Sequence, residues 1–270
     1  GGGDSAEVAL ELMPGNKIRK YDTWHAMGQG ATTGSLVVTL EALKEMHLTP
    51  EDIQLIQNDT KTCPDTGMAG ASRSLYMDGN ATIIAANKLL AAMRKEDGTL
   101  RTYDEMKAEG IETKYLGRYE TNTTPGLCRL DPNTGIGDPT PAFTYCLNLA
   151  EVEVDTKTGK TTVLKFTCVD FVGRIGNIDA VNGQAYSGIM HGIGFALKED
   201  YADVKKHANM FGAGTSYIKD VPDDIDLIHI DGAISDGPFG SSGASEAFQA
   251  SGHCAVLNGI YNACGVRIHE

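Results

Sequence analysis

Three stretches of small residues hold most of the chemistry this sequence could perform. They are residues 27–34 around Gly28-Gln29-Gly30, residues 64–74 ending in Gly70-Ala71-Ser72-Arg73-Ser74, and residues 237–245 ending in Ser242-Gly243-Ala244-Ser245. Each runs into an apolar helical pattern. A helix N-terminus offers unpaired N–H groups and a partial positive charge, which suit phosphate or another anion. Glycine lacks Cβ and lets those donors approach a ligand closely. Glu246 follows the third stretch directly, beside Ala247 and Phe248. Such a carboxylate can serve as a general base in a water-poor pocket, where desolvation raises its pKa. On local sequence alone, the plainer role of complementing the helix dipole is the stronger one. Gln184 sits in a Gly-rich apolar helix, where an amide needs partners at both ends, from nearby backbone or from a polar ligand.

Other motifs fall short. No G-x-x-x-x-G-K-[ST] loop is present, and Gly135-Ile136-Gly137 runs into Asp138-Pro139 rather than completing a dinucleotide fingerprint. Asp131-Pro132-Asn133-Thr134-Gly135 lacks the register and closing Glu of a calcium loop. Gly70-Ala71-Ser72-Arg73-Ser74 has Ser74 where a nucleophile elbow needs Gly, so a serine hydrolase using Ser72 lacks its defining turn. The six cysteines (Cys63, Cys128, Cys146, Cys168, Cys254, Cys264) form no C-x-x-C pair. They read as buried free thiols of a reducing, cytoplasmic compartment, and their spacing argues against a zinc site or a redox dithiol. His191, Cys254 and Cys264 read as core. The sequons at Asn58, Asn80 and Asn122 carry no meaning without a signal peptide. With 23 Lys+Arg against 36 Asp+Glu, the net charge of −13 argues against nucleic acid or an anionic membrane as partner. No apolar run approaches the ~18 residues of a membrane span.

The elements that must position these residues follow from hydrophobic period. Residues 6–12 and 17–25 alternate as strands across Pro14-Gly15-Asn16. A helix carries Leu36, Val37, Leu40, Leu43 and Met46, a short strand covers 53–58, and an apolar helix covers about 76–93. Residues 98–140 read as a connecting excursion, with a Thr102…Glu105 capping box followed by polar Gly- and Pro-rich turns. Strands over 143–154 and 161–171 flank a hairpin turn. A helix over about 178–197 is crossed by Gly183, Gly188, Gly192 and Gly194, a strand covers 225–230, and a last helix ends before Gly265. Hairpins mixed with helices, without a repeated βαβ unit, predict a two-layer α+β fold rather than a doubly wound sheet. The expected division is 1–97, a connector over 98–140, and 141–270. Both ends look cut, which suggests a portion of a longer protein.

Taken in order, these motifs resemble the C-terminal part of the molybdenum-binding subunit of the xanthine dehydrogenase and aldehyde oxidoreductase family. They are most similar to bacterial aldehyde oxidoreductases that bind molybdopterin cytosine dinucleotide. Gly188, Gly192-Ile193-Gly194, residues 237–246 and residues 258–265 extend the match. The resemblance implies mixed sheet and helix domains in two similar halves. It implies that Gly28, Gln29, Gly30 and Gly70, Ala71, Ser72, Arg73, Ser74 hold the pterin and its pyrophosphate, and that Gln184 bonds the pterin. Ser242, Gly243, Ala244 and Ser245 would line the metal centre, with Glu246 as catalytic base and no protein residue ligating the metal. The implied reaction is hydroxylation of an aldehyde or N-heterocycle with oxygen from water. The 2Fe-2S clusters, the flavin domain and the earlier half of the molybdenum subunit would lie elsewhere, so this chain alone should not turn over; a homodimer is also compatible. The sequence departs from the family at Ser245, where Gly is usual, and at His191, where Gln is frequent. Two other roles stay open: a non-catalytic cofactor-binding or assembly module, and the hydrolase using Ser72.

Overall fold

A computed structural model describes residues 4–57, 59–121, 130–137, 140–234 and 236–269. Cys128, Asn58, the sequon at Asn122 and the Asp138-Pro139 pair therefore lie outside the described residues. Contacts divide the chain into two compact units, residues 1–143 with 233–243 and residues 144–232 with 244–270.

In the first unit β1 (Ser5–Met13) and β2 (Lys17–Asp22) pair antiparallel, with Leu12 opposite Ile18. The turn between them places Gly15 at φ 74° and Asn16 at φ 60°, a conformation these two residues tolerate. α1 (Ala31–Ala42) leads to β3 (Ile53–Gln57), which lies parallel to β2. α2 (Ser74–Met93), α3 (Tyr103–Ala108) and β4 (Lys114–Glu120) follow, and the sheet order is β3-β2-β1-β4. Leu10, Leu12 and Ile18 point to one face and are buried with Ala85, Leu89 and Met93 of α2. That two-residue alternation against a helix makes the core.

The second unit repeats the plan. β5 (Tyr145–Val154) and β6 (Thr161–Phe171) pair antiparallel, α4 (Ile178–Leu197) crosses over, and β7 (Asp224–His229) lies parallel to β6. α5 (Ser245–Ala250) and α6 (Gly252–Cys264) complete it, with Phe166, Ile189, Ile193, Phe248 and Val256 in the core. Both units thus run strand, antiparallel strand, helix, strand parallel to the second, helix. The sequence hides this repeat because the matching connections differ in length: residues 23–30 correspond to 172–177, and 43–52 to 198–223.

Other expectations change. Part of the stretch read as a connector, 98–140, is structural: β4 pairs with β1 along its length. A Cβ on its central Gly117 would lie 2.0 Å from the Ala81 carbonyl oxygen, so α2 rests directly on the strand. The final helix breaks at Ser251. Of the thiols, Cys168 is buried, Cys63, Cys146 and Cys264 are half-buried, and Cys254 is exposed, so Cys254 is not core. His191 is half-buried, with its ring 6.2 Å from that of Phe195. Among the described residues no helix is long and apolar enough to cross a membrane.

Candidate functional site

β2 and β3 are parallel, so both lead out at one end of the first sheet, into the first and second small-residue loops. Thr23 and Thr66 tie these loops together: each backbone N–H donates to the other's Oγ1 at 2.9 Å. Gln29 braces its own loop. Its Oε1 accepts from the Met27 N–H (2.6 Å) and its Nε2 donates to the His25 carbonyl (2.7 Å). Gly28 (φ 104°) and Gly30 (φ 87°) occupy backbone regions that disfavour side chains, and α1 begins at Gly30 without a side-chain cap.

The second loop is strained. Ala71 (φ 52°) and Ser72 (φ 51°) are consecutive left-handed residues with side chains, at a cost on the order of 1–3 kcal/mol each. Arg73 compensates. Its guanidinium donates from Nη1 to the Thr66 (3.1 Å) and Met68 (2.7 Å) carbonyls, and from Nη2 to Asp4 Oδ1 (2.8 Å) and the Ser5 carbonyl (2.9 Å). Nε donates to the other oxygen of Asp4. All five guanidinium N–H groups are thereby engaged within the protein. The Arg73 side chain clamps the loop to the start of β1 and leaves no N–H for a ligand. The third loop meets this turn, since a Cβ on Gly243 would lie 1.6 Å from the Ser72 carbonyl oxygen. Only glycine fits there. Ser72 comes fifteen residues after β3 ends at Gln57, so the strand–turn–helix context of a nucleophile elbow is missing.

Beneath the first two loops lies a buried charge cluster that sequence reasoning missed. Lys20 Nζ is 2.6 Å from Asp78 Oδ1 and 3.2 Å from Asp22 Oδ2, and all three side chains are fully buried. Asp22 also accepts from Gln57 Nε2 (2.7 Å) and Ser35 Oγ (2.7 Å), which fastens β3 and α1 to the end of β2. Burial pushes the Asp78 carboxyl up to about 6 despite the opposing pull of Lys20. A signal existed: Ile18, Lys20 and Asp22 share one face of β2, so the period of two places two charges on the core side.

The second unit has a network at matching positions. His229 Nδ1 donates to Asp170 Oδ2 (2.7 Å), and His229 Nε2 lies 2.8 Å from Asn182 Oδ1. Asp170 pairs in register with His229 as Asp22 does with Gln57, and Asn182 stands as far into α4 as Ser35 into α1. Burial raises the Asp170 carboxyl, and His229 opposes that shift. Gln184, half-buried, is the seventh residue of α4, nearly two turns in, and the helix N-terminus is capped by Asn177. α5 carries Ser245 and Glu246 and packs on α4 where Gly188 admits Phe248.

In the first unit the structure ties the loop before α1 to the second loop through Thr23 and Thr66 and seats Gly243 on Ser72; in the second, α4, which carries Gln184, and α5, which carries Ser245 and Glu246, pack together at Gly188 and Phe248. Glu246 is exposed. Among the described residues no group of three or more His, Cys, Asp or Glu is placed to hold a metal ion.

The molybdopterin cofactor-binding domain family matches residues 1–222. The chain belongs to that family. It is 41% identical over 269 residues to the aldehyde oxidoreductase of Megalodesulfovibrio gigas, covering 100% of this chain and 29% of that protein. The solved aldehyde oxidoreductase of Desulfovibrio desulfuricans ATCC 27774 superposes with a TM-score of 0.93 at 43% identity, over 99% of this chain and 29% of that one. Quinoline 2-oxidoreductase from Pseudomonas putida 86 shares the fold, with a TM-score of 0.77 at 19% identity over 98% of this chain and 36% of that one. The chain thus spans less than a third of the length of the aldehyde oxidoreductases it matches.

The donor set suits a molybdopterin group. α1 and α2 open without side-chain caps, as do α5 and α6, whereas α3 and α4 are capped by Thr102 and Asn177. Uncapped N–H donors beside a tight glycine contact form the neutral cradle a phosphate-bearing group needs, and an acidic chain can offer it without Lys or Arg.

Proposed function

We propose that this chain is the cofactor-holding C-terminal portion of the molybdenum subunit of an aldehyde-oxidising molybdenum hydroxylase, with Glu246 as general base. Backbone donors at Gly28, Gln29 and Gly30 and at Gly70, Ala71, Ser72 and Ser74 hold the pterin and its pyrophosphate. Arg73 acts by fixing the second loop. Gln184 bonds the pterin through its amide, and Ser242, Gly243, Ala244 and Ser245 line the metal centre. The cofactor is the cytosine dinucleotide form, in keeping with the high identity to bacterial aldehyde oxidoreductases.

When bound, this group supplies the redox chemistry by which an aldehyde, or an N-heterocycle, is hydroxylated with oxygen derived from water. The chain's own contribution is positioning and proton transfer. Glu246 takes up a proton at a carboxylate oxygen as water is activated, and Ser245, a bulkier neighbour than glycine, narrows the approach to that oxygen. Because Glu246 is exposed here, water exclusion falls to parts of the enzyme beyond this chain. Those parts include the N-terminal half of the molybdenum subunit and the 2Fe-2S domains that receive the electrons. The protein is cytoplasmic, a homodimer is compatible with this reading, and this portion alone does not turn over.

The observation that carries the reading is the contact of Gly243 with the strained Ala71-Ser72 turn, at the uncapped start of α2. It is tested by purifying the whole polypeptide and measuring molybdenum, pterin, nucleotide released by acid, and aldehyde oxidation with a dye acceptor. Stoichiometric molybdenum with released CMP and aldehyde turnover supports the proposal. Molybdenum without oxidation of any aldehyde or N-heterocycle replaces it with a non-catalytic cofactor-binding module.

A further inference from the structure

We infer that the outer face of the β5-β6-β7 sheet is the docking surface for the remainder of the polypeptide to which this chain belongs; this rests on the reading above that such a remainder exists. The inner face of the sheet is covered by α4 and α6, which bury Phe166 and Cys168. The outer face is apolar and open. Tyr145 stands opposite Phe171, Leu147 opposite Val169, and Val169 opposite Ile228, so these side chains and Leu149 form one continuous row across three strands. Tyr145, Leu147, Leu149 and Ile228 are 64%, 63%, 56% and 50% exposed. Single exposed apolar residues are ordinary, but a contiguous patch marks a contact surface.

The first unit supplies the control. The corresponding face of its sheet carries Leu116 and Ile56 among mostly paired polar groups. Arg118 pairs with Glu7 and Glu120, the Tyr21 hydroxyl donates to Glu11, and Arg19 donates to Gln54. An apolar outer face is therefore no requirement of the repeated fold.

Two features identify the occupant. The patch grades into an acidic end, where Glu151, Glu153, Asp224 and Asp226 outnumber Lys165, which bridges the two aspartates at 3.3 and 2.8 Å. A second copy would oppose one chain of net charge −13 to another. The matching aldehyde oxidoreductase, by contrast, has 71% of its length outside the aligned portion, ample to cover the sheet. The covering segment presents aliphatic or aromatic side chains over the centre and Lys or Arg toward the acidic end.

Hydroxyl-radical footprinting of the whole polypeptide tests this. Labelling of Tyr145, Leu147, Leu149 and Ile228 should fall to the level of the buried Phe166 and Ile189, at every protein concentration. Labelling that follows their 50–64% exposure overturns the inference while leaving the functional proposal intact. Protection lost on dilution assigns the face to a second copy and equally overturns it. A reading frame no longer than this chain defeats the underlying proposal instead.

Discussion

Two kinds of residue govern the site: those that could meet a ligand and those that hold them. Arg73 is of the second kind, since its five donors join the second loop to Asp4, Ser5, Thr66 and Met68. Arg73→Ala should release the strained Ala71-Ser72 turn, lower stability by roughly 2–4 kcal/mol in chemical denaturation, and reduce bound molybdopterin in the purified protein. Asp78 gives a pH test. Its carboxyl titrates at about 6 in the folded chain and near about 3.9 when unfolded. Between those values the folded state binds the extra proton, so the contribution is complete below the unfolded value and is lost as pH rises through the folded one. Stability of the wild type should decline across that window by an amount on the order of 1–3 kcal/mol that Asp78→Asn abolishes. Denaturation midpoints from pH 4 to 7 check it.

At the scale of elements, glycines decide how closely helices approach. A Cβ on Gly192 of α4 would lie 2.8 Å from Gly252 Cα at the start of α6. Gly192→Val should force the helices apart and destabilise the second unit by about 1–3 kcal/mol or more, seen as early loss of amide-exchange protection in α4 and α6. Most elements were legible in the sequence for physical reasons. β1 alternates along its length and β6 from Phe166 onward, after a bulge that shifts its register near Val163, α2 and α4 carry long apolar faces, and the Thr102–Glu105 capping box forms as its spacing requires. β4 was not legible, because its buried centre is Gly117, which shows no hydrophobic signal yet is needed under α2. The Lys20–Asp22–Asp78 cluster escaped because its members become neighbours only when β2 meets α2. The small-residue loops were visible as composition. That Gly243 seats on Ser72 was not, because 171 residues separate them in the chain.

For the whole molecule, the chain belongs to the molybdopterin cofactor-binding domain family and contains two units of one plan, each with a buried carboxylate at the end of its second strand. The repeat lives in topology and in those polar positions rather than in sequence. Glu246 is exposed, and this portion covers 29% of its aldehyde oxidoreductase relative. Isolated, it should oxidise no aldehyde even when molybdopterin is supplied; turnover by the 270-residue chain alone contradicts that expectation. Whether Glu246 is the base of a molybdenum hydroxylase is decided by Glu246→Gln in the whole polypeptide, with kcat for aldehyde oxidation and molybdenum content measured on the same preparation. If it is, kcat falls roughly 10²–10⁴-fold or more while molybdenum and pterin stay at wild-type levels. Wild-type turnover in that variant contradicts that role.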